Sequence, residues 1–230
     1  MQVSQYGALT DSLGVDARAR FITRTYNHLF GAIIGFAAFE IALFKSGFAE
    51  VIAQSMMGMS WLFVLGAFMV TSWIATHVAS SSTSKPAQYA ALAAYVMLQG
   101  LIFVPLLYVA NEFAPGVISS AALVSFVGFA GLTAIAFYTR KDFSFLRGIL
   151  LWGGVGALAL IVAGALFGFE LGTFFSVGMV VFAGAAILYD TSNVIHHYPE
   201  DRYVGAALAL FASVALLFWY VLRLFLGNRD

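Results

Sequence analysis

The chain has 230 residues, 62% of them hydrophobic and only 10% charged, with a mean hydropathy of +0.92 and a formal charge of zero. A soluble domain is nearer half apolar and a quarter charged, so this composition excludes an ordinary soluble fold and calls for a lipid-facing exterior. The neutral balance excludes nucleic acid as a partner, and the absence of cysteine excludes disulfides, thiolate metal sites and cysteine nucleophiles.

Residues 1–25 are expected to form a polar cytoplasmic tail carrying Asp11, Asp16, Arg18, Arg20 and Arg24. A cleavable signal peptide would place a short apolar core directly after a basic start, so the first apolar run is read as its own insertion signal. Residues 26–230 are read as a seven-helix transmembrane domain, an all-α membrane protein. Spanning a hydrocarbon core of about 30 Å takes about 20 apolar residues. Such runs lie near 26–45, 57–79, 87–110, 116–138, 146–168, 171–194 and 204–226. Polar breakers separate several of them: the serine-rich turn 80–86, Asn111–Glu112 with Pro115–Gly116, the stretch 138–142, and Pro199–Glu200–Asp201–Arg202. The runs are too long, and too little alternating, for β-barrel strands.

The basic residues set an orientation. With the N-terminus cytoplasmic, that side receives Arg18, Arg20, Arg24, Lys85, Arg140, Lys141, Arg147 and Arg202, and the far side keeps Lys45, Arg223 and Arg229. The C-terminus is then periplasmic or extracellular. Gly31 and Gly35 in the first run, Gly164 and Gly168 in the fifth, and the cluster Gly153, Gly154 and Gly156 are expected to let helices pack closely. Pro105 in the third run removes a backbone donor and predicts a kink.

An ionisable group at membrane depth costs roughly 2.5–3.5 kcal/mol on insertion scales and needs a partner or a wet cavity. Asp190, late in the sixth run, is either a proton-sensitive latch, its charge set by desolvation against nearby donors, or an interfacial aspartate solvated by the next turn. Glu40 in the first run and Arg223 in the last lie at similar depth and form a candidate intramembrane ion pair; the alternative is that Arg223 snorkels to the interface. His77, beside the serine-rich turn, is interfacial or part of a site. His196–His197 reads as a solvated loop, since a tandem pair lacks the helical spacing of a metal site. Gln99 and Ser213 are neutral polar groups suited to bonding between helices. The chain carries no HExxH, P-loop or GxSxG motif. Asp190 is the only aspartate well inside a span, whereas an intramembrane aspartyl protease needs two carboxylates close enough to share a proton. Neither catalysis nor a cofactor is expected.

Ile187 to His196, ILYDTSNVIH, resembles the sixth-helix motif of the Bax inhibitor-1 family. Residues 138–146 are similar to that family's loop between helices 4 and 5, and Arg20 to Tyr26 to its approach to helix 1. Gly205 to Gly227 matches its last helix less closely. The resemblance implies a bundle whose last helix is central. For parts of the family it also implies a pH-sensitive calcium leak gated by two aspartates, with Asp190 matching the first and Ser213 standing where the second would be. One carboxyl beside a hydroxyl does not make a coupled pair. The family's arginine latch on helix 2 has no counterpart here, and His77 is its nearest neighbour. The details of the sixth-helix motif look most like the bacterial YccA branch, whose members modulate the FtsH membrane protease. That branch implies an inner-membrane protein partnered by an FtsH-type protease, with the N-terminal tail as a handle for its unfoldase. Calcium ions are the partner under the alternative reading.

Overall fold

The structure is a computed structural model that describes residues 2–227, with side chains from Asp16 onward except Trp61. The described residues form α1 (Gln2–Lys45), α2 (Phe48–Met57), α3 (Trp61–Ser81), α4 (Lys85–Phe113), α5 (Val117–Thr139), α6 (Leu146–Phe167), α7 (Gly172–His196), a 3-10 turn (Glu200–Arg202) and α8 (Tyr203–Gly227). Seven helices are long and apolar enough to cross a membrane, and the fold is the seven-span helical bundle expected from the sequence. Large apolar side chains face outward all round it, among them Phe174, Tyr138, Phe167 and Trp152. In water such a surface would aggregate; in lipid it is the solvent-matched face.

The last span is the interior one. Of the apolar window in Glu200–Gly227, 67% is buried, and in Lys85–Phe113 56%, against 6% in Leu146–Phe167. α8 packs against α7, α1, α5, α4 and α3. The contact with α3 depends on Gly205, where a Cβ would stand 2.8 Å from the carbonyl oxygen of Ala79 and 3.2 Å from its carbon. Backbone cannot give way as a flexible side chain would. Gly205→Ala is expected to cost about 1–3 kcal/mol of stability by overpacking, read as a lower melting temperature in detergent.

Three sequence expectations change here. The second span begins later than residue 57, because α2 intervenes. Ten residues rise only about 15 Å, too short to cross, and α2 instead lays Ala49 and Ala53 against Val104 and Tyr108 of α4. The boundary at residue 25 falls inside α1, and Phe21 and Thr25 ahead of it are fully buried. Arg18 donates from Nε to the Ile195 carbonyl (2.9 Å) and from Nη1 to that of Tyr198 (2.5 Å), capping the carbonyl end of α7. Finally, the glycine pairs do unlike things. A Cβ on Gly153 would stand 3.1 Å from the Phe182 ring of α7, so the glycine permits close helix packing, whereas Gly168 (φ 73°) ends α6. Gly31 has no atom within 4 Å of its would-be Cβ and faces open space, whereas a Cβ on Gly35 would stand 4.0 Å from Val96 of α4. α4 continues through Pro105. Met1 and Arg229, assigned above to the tail and to the far side, lie outside the described residues.

Candidate functional site: a carboxylate and hydroxyl pair between the last two helices

α7 and α8 run side by side, and their facing surfaces place Asp190 against Ser213. The Ser213 hydroxyl donates to Asp190 Oδ2 at 2.6 Å. Such a short bond to a carboxylate is charge-assisted and roughly twice as strong as a neutral one. Around it lies a polar layer rare for a membrane interior. Thr191 and Ser192 are fully buried on α7. The buried hydroxyls of Tyr26, Thr133 and Thr191 lie beside one another, yet none meets hydrogen-bond geometry. Tyr26 and Tyr198 are both within electrostatic range of Asp190. At Tyr198, outside the spans, burial and then the Asp190 carboxylate push the phenol up. Unpaired buried hydroxyls around one carboxylate have the make-up of a hydrated site.

A cavity of about 1310 Å³ opens between α3, α4, α6, α7 and α8, and reaches Ser213. Gln99, Ser176, Glu170 and Arg223 supply its polar lining. Ser213 and Arg223 both line it ten residues apart on α8, so it follows that helix for about 15 Å. Chemically, the arrangement can bind and release one proton at Asp190, with Ser213 as a donor whose own state does not change with pH.

The other sequence-selected residues are dispersed. Glu40 and Arg223 are not brought together. Among the described residues the ion pairs are His197–Asp142 and Arg202–Asp201. Glu40 is only 6% exposed, packs beside Gly100 of α4, and neither carboxylate oxygen has a hydrogen-bond partner. Arg223 faces the cavity instead. His77 does not join Asp190 either: it is exposed on α3 and stacks on Trp73, with ring centroids 5.6 Å apart. Gln99 bonds no helix, as its buried Oε1 is unpartnered. No three His, Asp or Glu side chains come together as a metal site among the described residues.

Sequence reasoning missed a clasp at the Asp190 end. The loop after α5 holds the end of α7 through Asp142. Oδ2 accepts from His197 Nε2 (3.0 Å), and Oδ1 accepts from the Ser144 N–H (2.9 Å) and the Ser192 hydroxyl (3.4 Å). The Phe143 N–H donates to Ser192 Oγ (2.9 Å). Both segments stood out in the sequence, but their contact across some fifty positions left no local signal. The Ser144 backbone N–H above all, then its side chain and His197, outweigh desolvation and hold the Asp142 carboxyl below the ordinary carboxylate range. A depressed folded value means the unfolded chain binds the proton more readily. The clasp therefore contributes fully at neutral pH and fades as pH falls through the depressed value. Amide exchange in residues 140–145 is expected to rise below about pH 4. In Asp142→Asn it is expected to be high already at pH 7.

The family model described as inhibitor of apoptosis-promoting Bax1 matches residues 18–230. The chain belongs to the Bax inhibitor-1 family. The chain is 38% identical over 112 residues to an uncharacterized protein of Pseudomonas aeruginosa, covering 47% of this chain and 49% of that one. It is 28% identical over 178 residues to Bax inhibitor 1 of Schizosaccharomyces pombe, covering 74% and 64%. It is 30% identical over 166 residues to the modulator of FtsH protease YccA of Escherichia coli K12, covering 59% and 74%. The chain spans about half to two-thirds of the length of the first two of these relatives.

Proposed function

We propose that this protein is a multi-pass inner-membrane protein of bacteria that binds an FtsH-type membrane protease and modulates it, by association rather than by chemistry. The observation that carries this reading is the similarity to YccA, spread over 166 residues and most of YccA's length. The names of that relative and of the inner membrane protein YccA of a second Escherichia coli strain supply both the partner and the membrane. The N-terminus is cytoplasmic and the C-terminus periplasmic or extracellular in this proposal. The basic residues Arg18, Lys85 and Arg202 support it: Arg18 bonds the Ile195 carbonyl, Lys85 that of Asp201 and Arg202 that of Ser82, all at the end of the bundle near Asp190 that the positive-inside rule assigns to the cytoplasm. Because Arg18 anchors α7, the handle offered to an unfoldase is the stretch ahead of Asp16. In proteoliposomes, adding this protein to an FtsH-type protease is expected to change the rate at which a membrane substrate is degraded; an unchanged rate at saturating amounts refutes the proposal.

A second reading, a pH-sensitive calcium or proton leak around Asp190, is favoured by the cavity that ends at Ser213. Liposome efflux separates the two. Efflux that vanishes in Asp190→Asn supports the leak, and its absence at every pH supports the modulator.

A further inference from the structure

The open Gly31–Gly35 face has a built-in polar end. α1 and α4 flank a groove of about 590 Å³, whose floor and walls include Gly31, Ala32, Gly35, Phe39, Ala93 and Val96. From Asn27 to Phe39 it follows α1 for about 18 Å, close to the depth of one leaflet of a ~30 Å hydrocarbon core. Its lining is apolar along this length and becomes polar only at one end, at Asn27, His28 and Tyr89.

At that end the side chains form a connected cluster. His28 Nδ1 donates to the Arg24 carbonyl (2.7 Å), so in the neutral ring Nε2 is an acceptor. The Tyr89 hydroxyl, 3.3 Å away, donates to it, and the Tyr203 hydroxyl donates to Tyr89 at 3.0 Å. His28 packs on both rings, with centroids 5.4 Å from Tyr89 and 5.1 Å from Tyr203. Two cations then share one aromatic ring: Lys85 Nζ lies 4.3 Å and the Arg24 guanidinium 5.6 Å from the Tyr203 centroid. Neither has a carboxylate partner among the described residues, where the ion pairs are those of His197 and Arg202. The carboxylates of Glu200 and Asp201 in the adjoining turn act on Arg18 and Arg202, while Lys85 Nζ donates to Gln88 Oε1 (3.3 Å) and to the Asp201 carbonyl, neutral acceptors that leave its charge uncompensated. Like charges gathered at one ring repel unless an anion comes between them. Tyrosines and basic side chains at this depth are also the usual anchors of the headgroup layer.

We propose that this groove is a binding site for an anionic glycerophospholipid, with its phosphate between Arg24 and Lys85 and one acyl chain lying along Gly31 and Gly35. The glycines give the chain its channel, and the basic cluster selects the headgroup. A second copy of this protein is disfavoured as occupant. In a membrane a two-fold dimer through this face would oppose the cluster to itself, cation against cation. The site stands apart from the Asp190–Ser213 pair and does not depend on the protease proposal.

The test is native mass spectrometry of the full chain released from bilayers holding equal phosphatidylglycerol and phosphatidylcholine with identical acyl chains. Two basic side chains at the surface predict roughly thirtyfold more phosphatidylglycerol than phosphatidylcholine adducts. Arg24→Gln combined with Lys85→Gln is expected to bring that ratio to about one. Gly31→Leu enters open space, so it fills the channel without disturbing the fold, and it is expected to reduce adducts of both lipids. Equal adducts on the unaltered protein, or a preference that survives both variants, overturns the proposal. So does a dimer that Gly31→Leu abolishes, because it would assign the face to a second copy.

Discussion

Ser213→Asp is expected to give this protein a pH-gated calcium permeability that the unaltered chain lacks. Asp190 now faces a hydroxyl 2.6 Å away, and a hydroxyl neither repels an ionised carboxylate nor titrates against it. With an aspartate in place of that serine, two carboxyls at hydrogen-bond distance share one proton and titrate as a pair, in two macroscopic steps. The cavity that reaches Ser213 lies beside that pair and follows α8. Calcium efflux from liposomes is therefore expected to be flat with pH in the unaltered protein. In Ser213→Asp it changes by about tenfold per pH unit at most, the limit set by a single proton. Ser213→Ala serves as the control: it loses a bond worth roughly 1.5–3 kcal/mol without making a pair, so it should be less stable and still flat. Strong pH-dependent efflux from the unaltered chain would mean that one carboxyl suffices, and would move the leak reading ahead of the modulator reading.

Glu40→Leu is expected to make the protein more stable. Glu40 is buried between α1 and α4, and both its oxygens lack partners. A buried polar group left unpaired costs about 1–3 kcal/mol, and a leucine of similar size avoids that cost and adds apolar contact. A gain of about 2 kcal/mol corresponds to a rise of roughly 4–8 °C in melting temperature for a chain of this length. An ion pair with Arg223 predicts the reverse, because removing one partner of a buried pair typically costs about 3–5 kcal/mol. Thermal unfolding in detergent decides between them by sign alone. A carboxyl retained at such cost is itself a mark of use, and the stabilised variant is the one in which to look for lost function.

The spans were legible because bilayer thickness fixes the length of each apolar run, and that constraint is local. α2 was not legible, since ten amphipathic residues after a glycine turn read equally well as the start of the next run. The Asp190–Ser213 contact followed from the sixth-helix motif and the position of Ser213 in the last helix. Glu40 and Arg223 went wrong for a rotational reason: similar depth does not put two side chains on facing surfaces, and a one-residue step turns a helix by about 100°. His77 failed in the same way, at the right depth but on the lipid side. The Asp142–Ser192–His197 clasp, the Arg18 cap and the His28–Tyr89–Tyr203 cluster all join positions fifty or more residues apart. Composition and periodicity do not encode such pairings; only the packing of α1, α4, α7 and α8 brings them together. The glycine faces show the same limit, since Gly31 and Gly153 look alike in sequence and only one has a helix against it.

The central claim, association with an FtsH-type protease, is tested most directly by quantitative co-purification from native bacterial membranes in mild detergent. It should compare the full chain with a form lacking residues 1–15, which leaves the Arg18 cap intact. The proposal predicts that the protease is recovered with the full chain in near-constant proportion. It also predicts that the shortened form still binds but is itself degraded more slowly, having lost its handle. Membranes in which the protease is present but fails to co-purify with the full chain would contradict it.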